Sequence, residues 1–157
     1  MNVGIGFDIH RLIKGRPLVL GGVEIPHSKG LAGHSDADAL IHALIDALLG
    51  AMGSGDIGDK FPDTDPRYKD ISSMVLLETV LKEMRKKRFR VRHVDTILML
   101  EEPKLLPYKD KIRASLAKML DVAGSQVNVK AKTMEGLDAV GEKRAISCFC
   151  VASLNKL

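Results

Sequence analysis

No apolar run in this chain reaches the ~18 residues that a membrane-spanning helix needs, and no basic-then-apolar leader opens it. A soluble, cytoplasmic protein without a membrane partner is therefore expected. Cysteine is scarce: Cys148 and Cys150 stand alone, two apart in an apolar run, 145–152, that reads as a strand. Near neighbours on one strand face are badly placed to bridge, so both are expected as buried free thiols, in keeping with a reducing compartment. Tryptophan is absent, and the densest basic stretch, residues 82–93 with seven Lys or Arg, holds Phe89 as its one aromatic. A nucleic-acid groove stacks bases on aromatic rings, so this stretch reads instead as a solvated helix end whose cations complement the helix dipole. No nucleic-acid partner is expected, and the net charge of +4 suits a polyanionic small substrate.

Familiar ligand-binding fingerprints are missing too. Gly4 and Gly6 lack the third glycine of a dinucleotide loop. Gly58 precedes Asp59 and Lys60, where a Walker loop needs Lys followed by Ser or Thr. No register from Asp56, Asp59 or Asp63 supplies the glycine and glutamate of a calcium loop.

The 157 residues, 45% of them hydrophobic, suffice for one domain spanning 1–157 that buries its own core. Residues 2–10 read as a strand, followed by short extended pieces at 17–20 and 23–25 around a Gly21-Gly22 turn. A glycine-marked loop, 29–35, leads into a helix over 36–50, where Ser35 and Asp38 match a capping box. A long loop over 53–66, helices over 70–87 and 107–120, and strands over 90–100, over 126–133 and after Ala145 complete the chain. The expectation is a compact α+β domain, a mixed sheet of four or five strands with helices over one face.

Within this frame Asp8 and His10 share a strand face by the period of two, while Asp38, His42 and Asp46 form the polar stripe of an otherwise apolar helix. One carboxylate and two imidazoles, Asp8, His10 and His42, suit zinc or a similar divalent ion, with a coordination position left open. Asp46, one turn past His42, is a candidate acceptor for that imidazole's other nitrogen.

Four polar segments surround this trio in the reading. His34 and Ser35 stand at a helix start, a natural anion site, although an N-cap role explains Ser35 equally well. Residues 53–66, rich in glycine and aspartate, form either a ligand-closing wall or a plain acidic surface loop. The proline-stiffened stretch 100–107 offers backbone groups to a base edge, or is a simple connection. At the end of the 126–133 strand, Thr133 and Glu135 share a face and together could hold a phosphate and its magnesium.

Gly6-Phe-Asp-Ile-His10, His34-Ser-Asp-Ala-Asp38 with His42, Gly55-Asp-Ile-Gly58, Phe61-Pro-Asp-Thr-Asp65, Pro103-Lys104 and 128–133 with Glu135, in this order, resemble the 2-C-methyl-D-erythritol 2,4-cyclodiphosphate synthases of the non-mevalonate isoprenoid pathway. The resemblance implies a homotrimer with active sites between subunits and a cytidine diphosphate-linked substrate. It implies a zinc-type ion on Asp8, His10 and His42, and magnesium or manganese on Glu135. Asp8 and His10 would then also lie against the substrate diphosphate. His34, Ser35 and Thr133 would contact phosphate, with His34 and Thr133 stabilising the transition state, and Lys132 would be a further substrate contact. Asp56, Ile57 and Gly58, with Phe61, Pro62, Asp63, Thr64 and Asp65, would close over the methylerythritol, and Leu100, Pro103, Lys104, Leu105 and Leu106 would take the cytosine by backbone contacts. The chain departs from the common bacterial pattern at Ala139, Glu142 and Arg144, where many members carry an aromatic, arginine and glutamate. Arg144 remains a candidate phosphate contact. A metal-dependent phosphohydrolase and a non-catalytic nucleotide-binding module are the rival readings.

Overall fold

The computed structural model describes residues 1–157. Strand β1 (Asn2–Lys14) is followed by β2 (Leu18–Leu20), β3 (Val23–Ile25), β4 (Lys29–Leu31) and helix α1 (Ala39–Met52). The one-turn helix α2 (Ile57–Lys60), α3 (Ser73–Lys86), β5 (Phe89–Met99), α4 (Lys109–Leu120), β6 (Val127–Lys132), one-turn α5 (Asp138–Gly141) and β7 (Ala145–Lys156) complete the chain. Five strands form a mixed sheet in the order β4-β1-β7-β5-β6, in which only β5 and β6 run parallel. A separate β2–β3 hairpin turns on Gly21 and Gly22. The expected α+β architecture is present. Strand β4 is an addition, since its three residues fall in a stretch that the glycines at 30 and 33 make look like loop.

The fold is organised around α1. Ten of its fourteen residues are buried, so it is apolar almost all round and sits in the middle of the protein. It lies close against β1 because that strand carries glycine at two positions facing the helix: Gly4 and Gly6 abut the carbonyls of Ala47 and Ala43, and a Cβ at either would be driven into backbone. These two glycines permit close helix–strand approach. Asp38 caps the helix. Its fully buried carboxylate accepts from Ile41 N (3.1 Å), Gly21 N (2.9 Å) and Gly22 N (2.7 Å), tying the helix start to the hairpin. Burial pushes this carboxyl up to about 6 despite the three donors. The capping box expected for Ser35 and Asp38 is therefore corrected: the helix starts at Ala39, and Ser35 is free to face the site.

Helix α3 buries Leu76, Leu77, Val80, Leu81 and Met84, the three-and-four spacing of an amphipathic helix, and packs on α1 and β5. The helix ends at Lys86, so the basic stretch is split: Arg85 and Lys86 close α3, while Arg90 and Arg92 stand on β5. Cys148 and Cys150 are free and buried side by side in register with Asp8 and Gly6, as expected. On the opposite face of β1 and β7, Val3, Ile5, Phe7, Ile9, Phe149 and Val151 stay 41–67% exposed, and the Phe7 and Phe149 rings meet at 4.7 Å. A contiguous apolar face of this kind marks an interaction surface.

Candidate metal and phosphate site

The close approach of α1 to β1 brings three side chains together. His10 Nε2 lies 2.8 Å from Asp8 Oδ2, His42 Nδ1 lies 3.0 Å from the same oxygen, and the two nitrogens are 3.1 Å apart. Hydrogen-bond partners identify which nitrogen of each ring carries the proton. His10 Nδ1 is 2.7 Å from the Ala32 carbonyl, which can only accept, so Nδ1 carries the hydrogen and Nε2 turns a lone pair toward Asp8. His42 Nε2 is 2.8 Å from Ser73 Oγ, leaving Nδ1 to face the same point. Two imidazole lone pairs and a carboxylate oxygen thus converge within about one ligand sphere, an arrangement that repels itself unless a cation is shared among them. Nitrogen and oxygen donors in this number suit a divalent ion of the zinc type.

Electrostatics agree. Burial alone would raise the Asp8 carboxyl, but the two imidazoles beside it, which favour its anion whenever they carry a proton, outweigh burial and hold it well below the usual carboxylate range. Burial lowers His10, yet the Asp8 bond and charge prevail and its value rises above the ordinary imidazole value. In the absence of an ion, the proton on His10 plays the cation's part.

Above the trio opens a cavity of about 500 Å³, lined on one side by Gly33, His34 and Ser35 and on the other by Ile57, Gly58, Phe61, Pro62, Asp63 and Tyr68. The first wall is braced by Arg16, which donates to the carbonyls of Gly33 (2.9 Å) and Ser35 (2.5 Å), and by the bond between the His34 ring and Asp65 O (3.0 Å). The second wall is an ordered turn of helix: Asp56 caps α2 in a capping box with Asp59, and Phe61 meets Tyr68 edge-on at 5.4 Å. Part of the 53–66 stretch is thus an ordered helical turn that lines the cavity.

The model of the YgbB family matches residues 1–155. The chain belongs to the YgbB family. It is 51% identical over 149 residues to the 2-C-methyl-D-erythritol 2,4-cyclodiphosphate synthase of Caldicellulosiruptor bescii, covering 95% of each chain. A solved 2C-methyl-D-erythritol-2,4-cyclodiphosphate synthase in a CDP-bound form superposes with a TM-score of 0.90 at 38% identity, over 98% of this chain and 99% of the other. The bifunctional IspDF of Campylobacter jejuni superposes with a TM-score of 0.95 at 39% identity over 99% of this chain, which spans 42% of that longer protein.

Within this YgbB chain the residues expected at the site divide into two groups, with Asp56 outside both as the cap of α2. Asp8, His10, His34, Ser35 and His42 meet Ile57, Gly58, Phe61, Pro62 and Asp63 at the cavity, and Thr64 and Asp65 continue that wall. Leu100, Pro103, Lys104, Leu105, Leu106, Lys132, Thr133 and Glu135 do not line it. The register explains why: Asp8 pairs with Cys148, Cys148 with Leu98, and Leu98 with Ala131, so three strand spacings, roughly 14 Å, separate the groups. The second group is coherent in itself, since Thr133 Oγ1 donates to Glu135 and the Met134 amide donates to Glu101 (2.7 Å). Leu100 and Leu105 are buried, which leaves their backbones as the groups to offer a ligand. Arg144 is exposed, paired with Glu142 and away from the cavity.

The role expected of Asp46 is corrected. Its carboxylate accepts from Ile57 N (2.8 Å) and so holds α2 in place, while His42 is served by Ser73. Ser73 and Asp36 escaped sequence reasoning because a serine at a helix start reads as a cap. The paired Ser72-Ser73 was the available signal, since one cap needs only one hydroxyl.

Proposed function

We propose that this protein is a metal-assisted cyclase that converts 4-diphosphocytidyl-2-C-methyl-D-erythritol 2-phosphate to 2-C-methyl-D-erythritol 2,4-cyclodiphosphate and CMP, in the cytoplasm, as a step of non-mevalonate isoprenoid synthesis. The observation that carries the reading is the Asp8/His10/His42 donor set opening into an anion-suited cavity. Family membership and the name of the 51% identical relative support it.

An oxygen of the substrate's 2-phosphate attacks the outer phosphorus of the diphosphate, and the bond from that phosphorus to the bridging oxygen breaks, its electron pair leaving with CMP. The nucleophile is already anionic, so positioning and charge stabilisation suffice and no strong base is required. Divalent ions held by Asp8, His10 and His42, and by Glu135 with the phosphates, would neutralise charge on the transferred and leaving groups. His34 and Ser35 offer hydrogen bonds to phosphate from the first wall, and Thr133 and Lys132 do so from the second group of residues. The methylerythritol packs under residues 56–65, whose turn of helix excludes water from one side.

The roughly 14 Å between the groups supports a shared site. In a homotrimer, the exposed face of β1 and β7 would be covered by neighbouring copies, and the β5–β6 end of one copy would complete the cavity of the next. Phe149→Glu, placed in that face, should sediment as a single chain where the wild type sediments as three. Its turnover should fall about 100-fold or more while divalent-ion binding persists. Sedimentation of the wild type as a single chain would remove the shared site.

Phosphorus NMR of the reaction decides the function. The cyclic diphosphate with equimolar CMP is expected from wild type, and neither is expected from His42→Ala. Free inorganic phosphate or linear products would support a phosphohydrolase, and tight CDP binding without turnover would support a binding module.

A further inference from the structure

The ring of His42 has two ends, and the one turned away from Asp8 sits in a built hydrogen-bond chain. Ser73 is fully buried, and its hydroxyl has three neighbours: Asp36 Oδ1, His42 Nε2 at 2.8 Å and Ser35 Oγ at 3.4 Å. A hydroxyl has one proton to give, and an ionised carboxylate can only accept. The Ser73 proton therefore goes to Asp36, and its lone pair receives the hydrogen of His42 Nε2. Ser35 Oγ, 3.1 Å from the same nitrogen, already accepts from the Ala37 amide at 3.2 Å. Asp36 is itself held, accepting from Ser73 N at 3.1 Å and Asp38 N at 3.2 Å. Helix capping does not account for Ser73, because the N-cap of α3 is Ser72, whose side chain accepts from Met74 N.

We propose that Ser73 and Asp36 form a positioning relay that locks His42 as its Nε2–H tautomer and thereby sets the affinity of the Asp8/His10/His42 centre for a divalent ion. The relay gives His42 what the Ala32 carbonyl gives His10, an acceptor that turns the other nitrogen's lone pair toward the centre. It differs in ending on a carboxylate, which makes the ligating imidazole a better donor. It also crosses elements: Asp36 precedes α1 and Ser73 opens α3, so the docking of the two helices, not the α1 sequence, aims the ligand. The inference rests on the metal-centre reading but not on the identity of the reaction.

Zinc is the probe, titrated into metal-free protein in competition with a chromophoric chelator, with long-range proton–nitrogen NMR of the His42 ring on the same samples. Wild type should show the Nε2–H pattern. Ser73→Ala should bind zinc about 10- to 100-fold more weakly and lose that exclusive pattern. Ser73→Thr, which keeps the hydroxyl, should recover most of the affinity, and Asp36→Asn should give a smaller loss because an acceptor remains. Zinc binding by Ser73→Ala within about twofold of wild type, or an Nδ1–H ring in wild type, would overturn the relay. Should Ser73→Ala fail to fold, the wild-type tautomer and Asp36→Asn decide the matter. Failure of wild type to bind zinc at all would overturn the metal centre itself, a result distinct from equal binding by both proteins.

Discussion

Alanine at Gly6 is expected to cost the protein both its metal centre and much of its stability. The new Cβ would enter the Ala43 carbonyl, a backbone group inside a helix that cannot rotate away as a side chain could. Relief requires α1 to lift from β1. His42 adjoins Ala43, and its Nδ1 must stay near 3 Å from Asp8 on that same strand for the three donors to share an ion. Even a shift of about an ångström, ordinary for overpacking, undoes that geometry. Overpacking against backbone costs about 3 kcal/mol, which for a domain of this size corresponds to roughly 6–12 °C in the melting temperature. Thermal melting and bound-zinc analysis of Gly6→Ala check this together, and wild-type values for both would show that the approach of α1 to β1 tolerates a methyl group after all.

The same glycine shows where sequence reasoning stops. Asp8 and His10 are legible because a strand's period of two is local, and His42 because a helical stripe is local. Gly6 reads as part of a dinucleotide fingerprint that fails and as the start of the Gly6-Phe-Asp-Ile-His10 motif, but its packing role is hidden, because it depends on the carbonyl across from it, thirty-seven residues along. Asp36 and Ser73 are hidden for the same reason: their contact spans two helix starts, and each residue alone looks like turn or cap chemistry. Alternation carried Thr133 toward Glu135 correctly in outcome, yet the two meet through a turn in which Glu135 adopts a left-handed backbone. The strand order placed this pair three strands from the trio, and no local pattern encodes strand order. What the fold adds to the sequence is thus mostly distance, which sets Thr133 and Glu135 apart from the metal trio within one chain.

Asp8→Asn should have the second large effect, and its pH dependence separates ligand from scaffold. The side chain keeps its size, but the anion that both imidazoles address is gone. Since a bound ion is worth several kcal/mol to phosphoryl transfer, turnover should fall roughly 10²- to 10⁴-fold with loss of zinc. In metal-free protein, the Asp8 carboxyl held low adds stability that is present above the unfolded value of about 3.9 and is lost as pH falls below it. The raised His10 value adds stability that is complete below about 6.5 and is lost as pH rises through the folded value. Metal-free wild type should therefore lose stability relative to Asp8→Asn as pH rises above about 6.5. Zinc reverses this arm, because the ion replaces the His10 proton and binds more tightly as that proton leaves. Denaturant unfolding at pH 5, 7 and 9, with and without zinc, reads all three statements, and parallel wild-type and Asp8→Asn curves without zinc would mean that the imidazole proton is not held by Asp8.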